Sequence, residues 1–271
     1  MNKILYILIA FIFCINSSYA QSELENTSNS LQKLALTIQA SKNFDERKST
    51  NNYITQSLLQ ILKEPNSFNY GFDSLSAIKR IASPDGVFNI FTWQVELAEG
   101  EFTQNGILQL KISEDSLKLF LLKDQSDAME TPEKENCITS NWFGAIYYDI
   151  YISEFNGAKY YSLLGYDEYS KTMTQKVIEV IQIENNEPIF GGDYFLYPPD
   201  ETYPEAPVKR FIYTYKKGSN ALIKFEKESK AIVLSELTSI DNKLKNKSTL
   251  VPSGDEVFFV WKNGKWIMPN K

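Results

Sequence analysis

Not one histidine occurs among the 271 residues of this chain. That absence removes the commonest general base and the commonest metal ligand together, and with them any Ser-His-Asp or Cys-His site built within the chain. Cysteine is nearly as scarce. Cys14 and Cys137 are the two present, and Cys14 lies in a leader expected to be removed, so no intrachain disulfide is available and stability rests on packing. Cys137, a lone thiol with nothing to activate it, is read as a half-buried structural residue. Glycine and proline are too few (12 and 10) and apolar residues too many (43%) for a collagenous, low-complexity or disordered chain. No Gly-x-Ser-x-Gly elbow, phosphate loop, dinucleotide fingerprint or EF-hand loop appears. Ser30 to Lys33 and Ser76 to Lys79 match Ser-x-x-Lys by letter, without the Lys-Thr-Gly and Ser-Asp-Asn signatures of the serine-lysine hydrolases. No cofactor and no metal site is expected.

What is present begins with an export signal. Lys3, the apolar run Ile4 to Ile15, and Ser18-Tyr19-Ala20 ahead of Gln21 form a secretory signal peptide over residues 1 to 20. The apolar run is shorter than the ~20 residues that span a bilayer as a helix, and no later run is long enough. Cys14 follows Phe11-Ile12-Phe13 instead of the small residues of a lipidation signal. The expected product is an exported protein beginning at Gln21, without lipid and without a transmembrane segment, in the periplasm or outside the cell. Its charge is uneven. Residues 21 to 208 carry 14 Lys+Arg against 28 Asp+Glu, whereas residues 209 to 247 carry 10 against 4. The opposite-signed segments could attract one another, or the basic one could face an anionic partner, and a solvated face is the plainer reading. An acidic whole argues against nucleic acid.

The pattern along residues 21 to 271 is that of one β-rich domain with helices at about 31 to 64. Gln21 to Ser30 reads as a polar flexible lead. Leu31, Leu34, Ala35 and Ile38, and then Ile54, Leu58, Ile61 and Leu62 ahead of Pro65, recur at helical spacing. From Ala77 the period becomes two. Strand-like runs lie at 78–82, 87–95, 106–112, 117–122, 145–153, 160–165, 177–183, 210–215, 221–225, 231–234 and 257–261. Ser83-Pro84-Asp85-Gly86 suits a type I turn, and Asn156-Gly157 and Asn263-Gly264 suit two-residue hairpins. Asp124 to Asn136, Tyr197 to Val208 and Ser239 to Ser248 read as loops. The expected fold is mainly β, with antiparallel sheets in a sandwich, a barrel or an irregular propeller, and a short helical N-terminal region.

The Asn156-Gly157 turn sets a register by counting. Phe155 opposes Ala158, Glu154 opposes Lys159, Ile152 opposes Tyr161, Ile150 opposes Leu163, and Tyr148 is then expected to cover Gly165. One face is apolar. The other carries Tyr147, Asp149, Tyr151, Tyr160 and Tyr166, whose rings could stack on a sugar while the hydroxyls and Asp149 hydrogen-bond it. An ordinary wet or loop-covered sheet face is the plainer reading of the same residues. Paired carboxylates are the one catalytic kit left, since glycosidases need no histidine. Asp149, Glu154, Asp167, Glu168, Asp193, Asp200 and Glu201 are the candidates, and spacing alone selects no pair.

Several stretches, SPDGVFNIFTW at 83, NWFGAIYY at 141, YYSLLGYDEYSKT at 160, VIEVIQI followed by PIFGG, KRFIYTY at 209 and the closing KNGKWI, resemble a group of exported Bacteroidota proteins of uncharacterised function. The resemblance implies a secreted or cell-envelope location in such a bacterium and brings no activity, ligand or catalytic residue with it. Gly165-Tyr166 departs from the Gly-Trp of that group. The expected function is a non-catalytic binding or structural module of the envelope whose partner is a glycan or another envelope component. The alternative is a carboxylate-dependent hydrolase acting on glycans. The oligomeric state is open.

Overall fold

A computed structural model describes residues 2–199, 201–203 and 205–269, with side chains from Gln21 onward. The side chains of the leader, Cys14 among them, and the whole of Asp200 lie outside the described residues. Two helices come first, α1 (Asn2–Ala40) and α2 (Phe44–Ile61). The stretch from Gln21 to Ser30 is not a loose lead but part of α1, because Leu24 and Ser28 carry the stripe of Leu31, Ala35 and Ile38 backward at alternating spacings of four and three. Burial of Ser28 is made affordable by its hydrogen bond with the Ser74 hydroxyl, 2.8 Å away. Asn43 caps α2, its side-chain oxygen accepting from the N–H groups of Asp45 and Glu46. Among the described residues no helix is long and apolar enough to cross a membrane.

Three antiparallel sheets follow in chain order. The first joins β1 (Lys79–Ala82), β2 (Phe88–Ala98), β3 (Glu101–Ser113) and β4 (Ser116–Lys123) as a meander. The central sheet is built from β5 (Ile146–Phe155), β6 (Ala158–Asp167), β7 (Met173–Glu184), β8 (Glu187–Phe190) and, after β9 (Phe195–Leu196), β10 (Phe211–Lys216). Its order is β10-β7-β6-β5, with β8 also on β7. The last sheet runs β11-β12-β13-β14-β9, from β11 (Ile223–Glu226), β12 (Ala231–Ser239), β13 (Leu250–Lys262) and β14 (Lys265–Ile267), with β9 alone parallel to its neighbour. No sheet closes into a barrel, and the arrangement is an irregular sandwich.

Three cores explain the stacking. The helices pack on one face of the first sheet through Leu58, Phe91, Trp93 and Ile107. The other face of that sheet meets the central sheet through Phe88, Leu108, Tyr147, Leu163 and Ile181. The far side of the central sheet meets the last sheet through Leu164, Ile178, Phe211, Phe259 and Trp266. The central strands are therefore buried on both faces, and Val177 to Ile181 are buried without a break, as a sheet covered on both sides requires.

Turn chemistry holds where it was legible. Gly86 donates to the Ser83 carbonyl at 2.9 Å, closing the expected turn. Both residues of Asn156-Gly157 and of Asn263-Gly264 have positive φ. Asn185 and Asn186 make a further two-residue turn of that kind between β7 and β8, a hairpin the sequence reading does not contain. Strand β13 begins at Leu250, not at Val257: an irregularity in its pairing with β12, where Leu237 faces Pro252 and Ser235 faces Glu256, absorbs the Ser253-Gly254 that reads as a breaker.

Candidate functional site

The β5–β6 hairpin keeps its counted register from Phe155↔Ala158 back to Ile150↔Leu163, and then departs from it. Asp149 faces Leu164 and Tyr147 faces Gly165, so Tyr148 is the extra residue of a β-bulge and is not the residue opposite Gly165. The cause lies outside the hairpin. Tyr147 turns into the layer between the central and first sheets, where its hydroxyl donates to Glu179 of β7 at 2.5 Å and accepts from the Trp142 indole N–H at 3.0 Å, while its backbone N–H donates to the Thr92 hydroxyl of β2. Glu179 is held by Arg210 at 2.7 Å, both side chains fully buried. Arg210 also reaches the Cys137 sulfur, the Pro132 carbonyl and the Phe143 ring. Cys137 is fully enclosed, not half-buried, and burial pushes its thiol up to about 11. This network is a packed polar core with no opening for a substrate among the described residues.

The bulge exchanges one tyrosine for another. Tyr147 leaves the expected ligand face, and Tyr148 joins Asp149, Tyr151, Tyr160 and Tyr166 on it. Most of that face is covered by the last sheet. Tyr151 stacks on Phe225, Tyr160 sits between Tyr194 and Trp261 at ring separations of 5.4 and 5.2 Å, and Ser162 accepts from the Trp266 indole at 2.8 Å. Asp149 turns back to accept from the N–H of Ile150. The five residues therefore do not form one exposed patch. All five are half-buried, and Tyr148 and Tyr166 differ from the rest in lining a cavity.

The two rings are 6.5 Å apart, Tyr166 lining two cavities and Tyr148 one of them. One, of about 300 Å³, is lined by Tyr148, Tyr166, Trp93, Gln94 and Lys79 among others. The other, of about 360 Å³, is lined by Tyr166, Tyr215, Thr174, Lys176, Lys217 and Glu168 along with the 218–220 turn. Tyr166 is the wall common to both. Cross-strand pairing builds this end of the face: Tyr166 faces Lys176, Lys176 faces Tyr213, and Thr174 faces Tyr215. The Lys176 ammonium lies 5.4 Å from the centre of the Tyr148 ring. Burial lowers its pKa and raises that of Tyr166, where Glu168 adds to the effect. The Tyr148 hydroxyl is anchored to the Ile223 carbonyl at 2.9 Å, which ties the cleft to the covering sheet.

The catalytic candidates do not converge here. Glu168 is the one carboxylate lining either cavity, and Lys217 holds it at 2.7 Å. Asp193 pairs with Lys209, and Glu154 and Glu201 are exposed. Asp167 points away from the cleft to a buried site where it accepts from Gln104 at 2.5 Å and from the Tyr169 N–H. Burial, and behind it the charge of Asp124, pushes its carboxyl up to about 7. Ser76, of the Ser-x-x-Lys match, accepts from Gln32. Sequence reading missed Tyr148, Lys176, Tyr215 and Lys79 as site residues. A lysine in the alternation of β7 was a signal for Lys176, but its neighbours depended on a pairing across the irregular 168–172 connection.

What these observations define is a layered β protein with an aromatic, lysine-bearing cleft at one end of its central sheet. No protein-family model, no curated protein and no solved structure matches the chain.

Proposed function

We propose that this is an exported, non-catalytic binding protein of the cell envelope, and that the Tyr148–Tyr166 cleft receives a glycan. The observation that carries the reading is the position of Tyr166, a half-buried ring forming the common wall of two cavities whose other surfaces offer hydroxyl, amide and ammonium groups. Saccharides are bound by such combinations, with a ring face for their C–H surface and polar groups for their hydroxyls. A single salt-bridged carboxylate in the cleft favours binding over glycoside hydrolysis, which needs two. Export rests on the leader, read from sequence alone.

A screen of soluble glycans and peptidoglycan fragments, run with product analysis, tests both sides of the proposal. Binding without turnover is expected, and Tyr166→Ala should weaken it by about tenfold or more, the loss of one stacking surface. Release of new reducing ends by the wild-type protein would replace this reading with the hydrolase. Binding that is indifferent to Tyr166→Ala would move the site elsewhere.

A further inference from the structure

We infer that the ligand of this cleft is an anionic saccharide and that Lys176 receives its acidic group. The inference rests on the binding function proposed above and adds the charge class of the ligand.

Lys176 is the anomaly. It lies near the start of β7, on its core-facing side, half-buried, between Tyr166 and Tyr213. Among the described residues its ammonium has no carboxylate within ion-pair distance and no hydrogen-bond acceptor, and it lies over the Tyr148 ring. Other sheltered lysines of the chain are treated differently. Lys111, Lys209 and Lys217 keep 25, 25 and 34% of their side-chain surface, and each has a carboxylate within 2.8 Å. Acids are not in short supply, at 34 against 28 basic residues. Burial of its stem among the tyrosines withdraws this ammonium partly from water with no counter-ion beside it, and an arriving anion would supply the missing charge partner.

The surroundings agree. Glu168, the one acid lining the cavity, is neutralised by Lys217, and Lys79 adds a positive charge on the other side of Tyr166. Thr174, Ser219 and Asn220 supply further polar groups around Lys176. Lys217 belongs to the basic segment at 209 to 247, so part of that segment borders the cleft instead of facing bulk solvent. A sugar ring against Tyr166 with its carboxylate or phosphate on Lys176 uses both features at once. The lowered pKa of Lys176 is consistent with an ammonium that lacks its partner.

The test uses calorimetric titration of the mature protein with tetragalacturonate, its full methyl ester, mannose 6-phosphate and inorganic phosphate. The expected result is binding of tetragalacturonate or mannose 6-phosphate about tenfold or more tighter than the uncharged ester, a preference that Lys176→Gln abolishes and added salt weakens. Whichever of the two acids binds identifies carboxylate or phosphate as the group. Binding of inorganic phosphate as tightly as of the sugar phosphate would overturn the saccharide part. Equal binding of acid and ester, sensitive to Tyr166→Ala but not to Lys176→Gln, would overturn the anion inference and leave the binding reading standing. No binding of any probe by a protein whose melting curve is intact would remove both. Lys176→Gln discards an unpaired, half-buried charge, so its melting temperature should not fall. A fall of several degrees with no loss of affinity would make Lys176 a structural residue and end the proposal.

Discussion

Asp167 shows how one carboxyl can set the pH response of the fold. It is 6% exposed, bridged by Gln104 to the first sheet and held near Asp124, which itself accepts from the N–H groups of Gln104, Ser126 and Gly144. With a folded pKa of about 7 against roughly 3.9 when unfolded, the native state holds a proton that the unfolded chain has released. Stability from this group is therefore full below about pH 4, falls as the pH rises to about 7, and levels off above it. Asp167→Asn keeps an oxygen to accept from Gln104 and Tyr169 but removes the charge. It should raise the melting temperature by several degrees at pH 8, corresponding to at most about 4 kcal/mol, and leave it unchanged at pH 4. Melts at the two pH values decide the matter: a variant that is less stable at pH 8 would show that the ionised carboxylate is the form the fold prefers.

Hairpins and bulges set the second scale. Gly157 has φ of 77° with open space beside its Cα, so Gly157→Val meets no steric neighbour and suffers from backbone strain alone. The expected loss is about 1–2 kcal/mol, measured by denaturant unfolding, because a β-branched residue resists that region. A loss near zero would mean that the turn refolds into another type. On the same hairpin Tyr160 is packed between Tyr194 and Trp261, and Tyr160→Ala should cost about 3 kcal/mol and lower the melting temperature by about 5 °C or more. Tyr166→Ala, at the cleft, should cost clearly less. If the two substitutions have equal effects on the melt, Tyr166 is a core residue and the cleft is not a preformed site.

At the scale of the molecule, stability among the described residues is distributed over three apolar cores and one fully buried ion pair. Cys137 is the one free thiol among the described residues, and it is enclosed. Thermal melts with and without reductant should therefore coincide. A fall of more than a few degrees on reduction would indicate a disulfide between two chains. Chelator should be equally without effect, and a drop on its addition would point to a cation held by the acids around Asp124, Asp127 and Asp167. The buried Arg210–Glu179 pair joins Pro132 and Cys137 to the central sheet and ties Tyr147 of β5 to β7, and loss of one partner would strand a charge in the core.

Alternation, helical spacing and turn residues are local properties, and they carried the mainly β fold, the helical start, most of the strands and the register of the β5–β6 hairpin up to Ile150. Each is determined by residues a few positions apart, where propensity and side-chain period act directly. Asn185-Asn186 obeys the same rule, since Asn tolerates positive φ better than most residues with a side chain. The site was not legible in this way. Whether Tyr147 or Tyr148 covers Gly165 depends on Glu179 and Trp142, and whether Tyr151 and Tyr160 meet ligand or protein depends on Phe225 and Trp261, about 70 and 100 residues further along the chain. A bulge changes the face of a strand at the cost of one unpaired residue, so a buried hydrogen bond supplied by a distant strand is enough to select it. The tyrosines were visible in the sequence from the start; only the packing of the sheets decided which of them line a cavity, and only the pairing of β6, β7 and β10 put Lys176 beside them without a counter-ion.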